Sequence, residues 1–174
     1  MVGKIELKTD RILLREIVNS DQENIYKGLS HPEVVKHYGV SYQTYDEVKE
    51  QMDWFADRKQ KWFAICSLDN QTFFGAGGLN DISKANRKAE IGLWLLPEFW
   101  GKGIMQEAIP LICNFGFDQL KLHRIEGFVD SENKNCKRAM SKLDFQFEGT
   151  MRESELKANK YISIDIYSKL KNQV

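Results

Sequence analysis

The feature that most constrains the fold is an apolar strand-like run that passes through a glycine turn into a long helical segment. The run KAEIGLWLL at residues 88–96 is apolar on both faces, which is typical of a strand in the middle of a sheet. The turn PEFWGKG follows it, and periodicity predicts a helix from Gly103 to about Leu120. The next segment, HRIEGFVD, predicts another strand. Strands joined through a single helix are expected to lie parallel in one sheet.

The remaining segments surround this crossover with further strands and helices. KWFAICSL and TFFGAGGLNDI predict two strands joined by the hairpin loop DNQ, so three consecutive antiparallel strands precede the long helix. A strand over Ile12–Ile17 and two helices, in NSDQENIYKGLS and TYDEVKEQMDWFADRKQ, come earlier. A helix in NKNCKRAMSKL and two strands, FQFEGTMRE and KYISIDIYSKL, come last. The order β-α-α-β-β-β-α-β-α-β-β predicts an α/β (α+β) protein: one domain over residues 1–174, with a mixed sheet and helices on both faces.

Composition limits the classes of function that the chain can have. The 174 residues carry 25 Lys and Arg against 25 Asp and Glu, and this balance disfavours a general nucleic-acid-binding protein. No apolar run reaches the roughly 18 residues that span a membrane, and the first residues lack the apolar core of a signal peptide. Cys66, Cys113 and Cys136 show no CxxC spacing, which argues against a disulfide framework or a zinc site. We therefore expect a reduced, cytoplasmic protein that binds no metal, nucleic acid or membrane.

The glycine turn has two interpretations that the residues alone leave open. The first backbone amides of a helix have no partner within the helix and attract anions. Two glycines would allow a phosphate to approach these amides without a Cβ in the way. The Lys102 side chain would add a cation to the candidate amide donors, which are those of Gly101, Gly103, Ile104 and Met105. The Walker and dinucleotide-binding glycine patterns are both absent, so a simple turn remains the alternative.

Three segments together resemble one enzyme family. EIGLWLLPEFWGKGIMQEA at residues 90–108 is similar to the acyl-CoA-binding core of the GNAT N-acetyltransferases, in the branch that includes the ribosomal-protein N-terminal acetyltransferases. NKNCKRAMSKLDFQFEG, which begins at Asn133, resembles the family's later motif, although Cys136 and Asp144 replace its usual Ser and Gly. The opening LKTDRILLREI resembles the Thr-(Asp/Glu)-Arg-Leu-x-Leu-Arg start of this branch. The resemblance extends over nearly the whole chain in the same order.

The resemblance implies a more detailed fold, a co-substrate and a set of contacts. The mostly antiparallel sheet would splay apart at its two parallel strands, and acetyl-CoA would lie in the resulting cleft. Pantetheine would run along the backbone near Trp94, Leu95 and Leu96, and Asn133 would touch it from the next helix. The pyrophosphate would sit on the turn made by Trp100, Gly101, Lys102, Gly103, Ile104 and Met105.

Acetyl transfer to an amine requires a group that accepts the proton of the amine. Glu90 is the only carboxylate in AEIGLWLL, and partial burial would raise its pKa toward neutrality, so we predict that it is the base. A surface charge at the end of a strand is the alternative, and Glu126 and Asp130 are further candidates for the base. Cys136 occupies the position where the resemblance implies a proton donor to the thiolate. A small, half-buried helix residue is the alternative at that position.

The acceptor is the least defined part of this prediction. The resemblance favours the N-terminal α-amine of a protein, such as a ribosomal protein, and a polyamine or an aminoglycoside-like amine is the alternative. A non-catalytic acyl-CoA-binding module on the same fold would keep the glycine turn without depending on Glu90. His31 and Tyr38, in the segment before the second helix, are the candidate substrate contacts. The resemblance also implies a homodimer.

Overall fold

The computed structural model describes residues 4–173, and the strands in this range form one eight-stranded sheet. In chain order the strands are β1 (Glu6–Lys8), β2 (Ile12–Glu16), β3 (Lys61–Ser67), β4 (Phe73–Ser83), β5 (Lys88–Leu95), β6 (Arg124–Asp130), β7 (Gln146–Lys157) and β8 (Lys160–Leu170). The order across the sheet is β1-β2-β3-β4-β5-β6-β8-β7. Neighbouring strands are antiparallel except β5 and β6, which are parallel.

Helices cover both faces of the sheet. They are α1 (Gln22–Leu29), α2 (Pro32–Val35), α3 (Val48–Phe55), α4 (Ile104–Asp118) and α5 (Lys134–Lys142). Apolar residues of α4 and α5 pack on one face with alternate residues of β5, Ile91 and Leu95 among them. The other face carries α1, α2 and α3, whose apolar residues pack with Trp62 and Trp94. The period-2 alternation of β5 thus supplies two separate apolar cores, as its two-sided apolar pattern predicted.

The structure confirms the predicted fold class and adds two short elements to the predicted order. The crossover through α4 makes β5 and β6 parallel, as expected. The strand β1 pairs with β2 over three residues, and the four-residue helix α2 begins at Pro32. The strand predicted to end at Ile17 ends at Glu16. Elements of three or four residues contain too little sequence to show a period, so the sequence analysis did not detect them.

The two parallel strands pair over only three residues each. Residues 88–90 of β5 pair with residues 124–126 of β6. Within residues 4–173, β5 and β6 form no further pairs with each other. Both strands continue beyond this point, β5 to Leu95 and β6 to Asp130. Their C-terminal halves therefore diverge and leave a V-shaped gap in the middle of the sheet. Glu90 lies at the apex of this gap.

Trp94 fixes β5 against the helical layer on one face of the sheet. Its side chain is 4% exposed and lies over Gly28 of α1. A Cβ added at Gly28 would lie only 2.1 Å from Cζ3 of Trp94. Glycine at this position therefore allows α1 to approach β5 closely. Because β5 forms one side of the gap, this contact helps to set the shape of the gap.

We expect Gly28→Ala to lower the free energy of unfolding by about 2 kcal/mol, because the new methyl group overlaps the buried ring of Trp94. This loss exceeds the gain of roughly 1 kcal/mol that alanine brings to a helix. Urea denaturation measures the difference. Gly39→Ala is the matched control, since a Cβ added there meets no atom within 4 Å. Equal stability of the two variants would contradict the role given to the Trp94 contact.

Candidate active site

The V-shaped gap opens into a cleft with a volume of about 1230 Å³. Its walls come from β5, the glycine turn, the start of α4, the strand β6, helix α5 and residues 33–40, which we call the cover segment. The sequence-predicted site residues that line it are Tyr38, Glu90, Trp94, Leu95, Trp100, Gly101, Gly103, Ile104, Met105, Asn133 and Cys136. The fold thus brings the glycine turn, both candidate catalytic side chains and one candidate substrate contact to a single cleft.

Three other predicted site residues lie outside the lining of this cleft. Leu96 is buried and its N–H donates to the carbonyl of Phe74 at 2.8 Å, so this amide is not free for pantetheine. Lys102 is exposed, and its Nζ lies 5.4 Å from the ring centre of Phe99. His31 caps α2, with Nδ1 as the hydrogen-bond acceptor. The Leu96 amide and the His31 side chain thus make contacts within the fold, and Lys102 lies exposed at the turn.

The diverging half of β5 presents backbone groups to the gap. Leu96 donates to β4, and backbone groups alternate in direction along a strand, so the amides of Leu93 and Leu95 point the other way, into the gap. The carbonyl of Leu95 accepts a hydrogen bond of 2.9 Å from Nε1 of Trp100. The two N–H groups face the side from which β6 has diverged. They are suited to bind a ligand that lies along β5.

The turn after β5 has the backbone conformation that an anion site requires. Gly101 and Gly103 have φ values of 72° and 77°, in the left-handed region that favours glycine. Gly103 is the N-cap of the 15-residue helix α4, and no side chain caps this end. A Cβ added at Gly101 would meet no atom within 4 Å, so the space beside the turn is open. Uncapped helix amides beside open space fit a phosphate group.

Glu90 faces Glu126 across the last paired row before the gap. Burial raises the pKa of Glu90 to about 7; nearby carboxylates add to the rise, and a hydrogen bond with Asn80 opposes it. Burial acts in the same direction on Glu126, but hydrogen bonds from Arg124 and Lys88 outweigh it and lower the pKa of that carboxyl. The pKa values of the two facing carboxyls therefore differ. The carboxyl that titrates near neutral pH, Glu90, is suited to general base catalysis.

Asn133 and Cys136 form the start of α5. Oδ1 of Asn133 accepts a hydrogen bond of 3.1 Å from the backbone N–H of Cys136 and caps the helix. The Cys136 side chain packs against the core, and burial raises the pKa of its thiol to about 11. An ordinary thiol has a pKa near 8.5, so proton transfer from Cys136 to a CoA thiolate is uphill by roughly 2–3 pKa units. The environment of Cys136 therefore favours the structural interpretation over that of a proton donor.

The cover segment is held above the gap by two contacts with distant parts of the chain. Nζ of Lys157 donates to three carbonyls within residues 35–38 at 2.8, 2.8 and 2.7 Å. Nδ1 of His37 lies 2.9 Å from Oδ2 of Asp130 at the end of β6. The sequence analysis did not select Lys157 and did not predict that His37 contacts Asp130. Partners that are about 90 to 120 residues apart leave no local pattern that could identify them.

Aromatic side chains also line the cleft that contains Glu90. They include those of Tyr38, Trp54, Trp62 and Phe128. Burial, followed by the negative charge of Glu90, raises the pKa of Tyr38, so its phenol remains neutral. These aromatic side chains offer apolar contact to the hydrocarbon part of an amine that enters the cleft.

The described residues add three further observations about the site. Within residues 4–173, no group of three or more His, Cys, Asp or Glu side chains is arranged to hold a metal ion. No helix in that range has the length and apolar character needed to cross a bilayer. Cys66 and Cys113 are buried as free thiols, and Cys136 is a half-buried free thiol.

Comparisons of the sequence and of the fold with known proteins both point to one family. Residues 11–146 match the acetyltransferase (GNAT) domain family. The N-acetyltransferase YoaA of Bacillus subtilis is 30% identical over 171 residues, which cover 95% of this chain and 96% of YoaA. YdaF of the same species, provisionally named a ribosomal N-acetyltransferase, is 30% identical over 99 residues, or 57% of this chain and 54% of YdaF.

A solved structure shows the same fold. Spermidine N-acetyltransferase from Vibrio cholerae, in complex with CoA and spermine, superposes with a TM-score of 0.87 at 22% identity, over 94% of this chain and 98% of that one. The family match extends from β2 into β7 and includes the gap, the glycine turn and the cleft. The chain therefore belongs to the GNAT family and is an acetyl-CoA-dependent acetyltransferase.

Proposed function

We propose that the protein transfers the acetyl group directly from acetyl-CoA to a primary amine in a ternary complex, within one domain over residues 1–174. The position of Glu90 is the observation that carries this proposal. Its carboxyl lies at the apex of the gap, lines the cleft and has a pKa raised to about 7 by burial. Such a group is ionised in a large fraction of molecules at neutral pH and is basic enough to accept a proton.

In the proposed reaction the amine nitrogen attacks the carbonyl carbon of the thioester, the bond between this carbon and sulfur breaks, and CoA leaves as a thiolate that takes a proton from water. Glu90 accepts the proton that the amine loses, either directly or through a water molecule. The amides of Leu93 and Leu95 point into the gap, and that of Leu93, the nearer in sequence to Glu90, would donate to the carbonyl oxygen as negative charge develops on it. These donors belong to a strand that β4 already holds, so they need little reorganisation.

We propose that the glycine turn binds the pyrophosphate of acetyl-CoA. The positive φ values of Gly101 and Gly103, the uncapped start of α4 and the open space beside Gly101 support this assignment. The backbone of β5 would bind the pantetheine arm through the amide of Leu95. Asn133 would contact the arm from α5, where its side chain lines the cleft.

For the acceptor we propose the N-terminal α-amine of a protein. Among the described residues, four carboxylates line the cleft: Glu33, Glu90, Asp130 and Glu132. Asp130 contacts His37, and Glu132 forms an ion pair with Lys160. A polyamine carries several positive charges and would favour several unpaired carboxylates, whereas Glu33 is the one cleft carboxylate besides Glu90 that the described ion pairs leave without a basic partner. A polyamine remains the alternative acceptor because the structurally similar Vibrio protein is a spermidine N-acetyltransferase.

Assembly and cellular location remain proposals. We propose a cytoplasmic homodimer. Three large apolar side chains of the β7–β8 hairpin, those of Phe147, Leu156 and Tyr161, are 56%, 62% and 62% exposed. Exposed apolar side chains concentrated on one hairpin support a protein contact there.

We expect Glu90→Gln to lower kcat by about 100-fold or more, because a positioned base commonly contributes that much. The affinity for acetyl-CoA, measured by calorimetry, should change by less than about twofold. In the wild type, kcat/KM should rise with pH through an apparent pKa of about 7, as Glu90 loses its proton. The variant should lose this limb of the pH profile.

Glu126→Gln is the matched control for this experiment. It removes the facing carboxylate, whose pKa is lowered by its hydrogen-bonded basic partners, and should keep the rising limb, shifted to lower pH because the charge of Glu126 contributes to the raised pKa of Glu90. A Glu90→Gln enzyme that keeps both its rate and its pH profile would contradict the assignment of Glu90 as the base.

We expect Cys136→Ala to retain kcat within about threefold, because a thiol with a pKa of about 11 is a poor proton donor to a thiolate. Steady-state kinetics at saturating acetyl-CoA and acceptor measures this. Cys136→Ser, which replaces the thiol by a hydroxyl of similar size, is the matched variant. A loss of 100-fold in the alanine variant with recovery in the serine variant would instead identify residue 136 as the proton donor.

An acceptor screen tests the proposed substrate class. Short peptides with a free N-terminus should be acetylated with a kcat/KM at least about 10-fold above that of spermidine, because one amine fits beside Glu90 without further unpaired carboxylates. Peptides with a blocked N-terminus and a free lysine are the control for the α-amine. A preference for spermidine would overturn the protein acceptor and leave the acetyl-transfer chemistry intact.

A further inference from the structure

The turn between β1 and β2 reaches the glycine turn across the sheet edge. Oγ1 of Thr9 donates to Oε2 of Glu107 at 2.5 Å, and Nε of Arg11 donates to Oε1 of the same carboxylate at 2.5 Å. Glu107 lies in the first turn of α4. These contacts join residues that are 98 and 96 positions apart in the chain. The opening Thr-Asp-Arg segment therefore links the β1–β2 turn to the start of α4, in addition to joining its own two strands.

Arg11 makes a second contact, with the backbone of the glycine turn itself. Its Nη2 donates to the carbonyl oxygen of Lys102 at 3.1 Å. A Cβ added at Gly103 would lie 3.3 Å from the same nitrogen. The guanidinium thus lies directly against the Lys102–Gly103 peptide, while Glu107 contacts both its Nε and the same Nη2.

The contact with Lys102 restricts the orientation of one peptide group. The described chain has no cis peptide bond, and in a trans peptide the C=O and the following N–H point in opposite directions. When Arg11 holds the Lys102 carbonyl, the Gly103 N–H must point away from Arg11. Gly103 is one of the residues that line the cleft. With glycines on both sides of Lys102, this peptide would otherwise rotate with little steric resistance.

We propose that Arg11 is a positioning residue for the phosphate-binding turn, which fixes the Lys102–Gly103 peptide so that the Gly103 amide faces the pyrophosphate of acetyl-CoA. This inference rests on the proposed phosphate site at the glycine turn. Glu107, whose pKa is lowered first by the hydrogen bond from Thr9 and then by Arg11, is a fixed anionic partner for the guanidinium. Thr9 positions Glu107, and Glu107 in turn holds the Arg11 guanidinium. Arg11 then restrains the turn through its hydrogen bond to the Lys102 carbonyl.

The test compares two acetyl donors, acetyl-CoA and S-acetylpantetheine, which has the same thioester and arm but lacks the phosphates. We first expect the wild type to show a much higher kcat/KM with acetyl-CoA. Arg11→Met, which keeps an apolar stem of similar length, should raise the KM for acetyl-CoA by about 10- to 50-fold, the range expected for a lost charged hydrogen bond. Its kcat at saturation and its kcat/KM with S-acetylpantetheine should stay within about twofold of the wild-type values.

Other outcomes separate this inference from the proposed phosphate site. A wild type that uses both donors equally would overturn the phosphate site and the inference together. A wild type that prefers acetyl-CoA, with an Arg11→Met variant that keeps the full preference, would overturn the inference alone. Equal losses with both donors would show that Arg11 only supports the fold, and would overturn it as well.

A double variant tests whether the change of charge alone explains the higher KM of Arg11→Met for acetyl-CoA. Removing Arg11 leaves the Glu107 carboxylate unpaired near the phosphate site, where it would repel an anion. Arg11→Met combined with Glu107→Gln removes that repulsion. We expect the double variant to remain weak with acetyl-CoA, because the peptide is still free to rotate. Full recovery of the wild-type KM would overturn the positioning role.

Discussion

The central constraint of this structure is that two parallel strands stop pairing after three residues. Beyond Glu90, β5 stays bonded to β4 but loses β6, so one edge of a strand in the middle of a sheet has no strand partner. Unpaired backbone groups inside a protein are costly unless they find a partner. A ligand that lies along this edge and pairs with it would supply the missing hydrogen-bond partners, so the gap suits a binding site. The glycine turn and the start of α4 lie where β5 ends, so a ligand along β5 also reaches the helix amides.

The two ends of the cleft are held by different kinds of contact. At the turn, glycines with positive φ values create space, and a distant arginine restricts the freedom that these glycines bring. At the cover segment, Lys157 satisfies three backbone carbonyls of a short irregular stretch. In both cases a long basic side chain from another part of the sheet stabilises a segment that has little regular structure of its own. The precision of the site thus depends on tertiary polar contacts as well as on the sheet.

Local pattern predicted most of the fold and part of the site. The crossover through α4 followed from periodicity and spacing, and the cleft position of Glu90 and the glycine turn followed from it. Local pattern could not show contacts that depend on strand register, on a very short helix or on residues distant in the chain. The orientation of the Leu96 amide depends on its register with β4, and His31 acts as a cap for a helix too short to predict. The partners of Arg11 and Lys157 lie about 90 to 120 residues away, beyond the reach of any local pattern.

The same burial that makes Glu90 a suitable base also opposes folding. The pKa of its carboxyl is raised from 4.5 to about 7 in the folded chain, so between these values the folded state binds more protons than the unfolded state. Stability contributed by this group therefore falls as pH rises from 4.5 to about 7, and the full penalty applies above that. Glu126 avoids this penalty because Arg124 and Lys88 hold it as an ion pair. A partner of that kind at Glu90 would stabilise the fold but would keep the carboxylate too weak a base to take a proton from an amine.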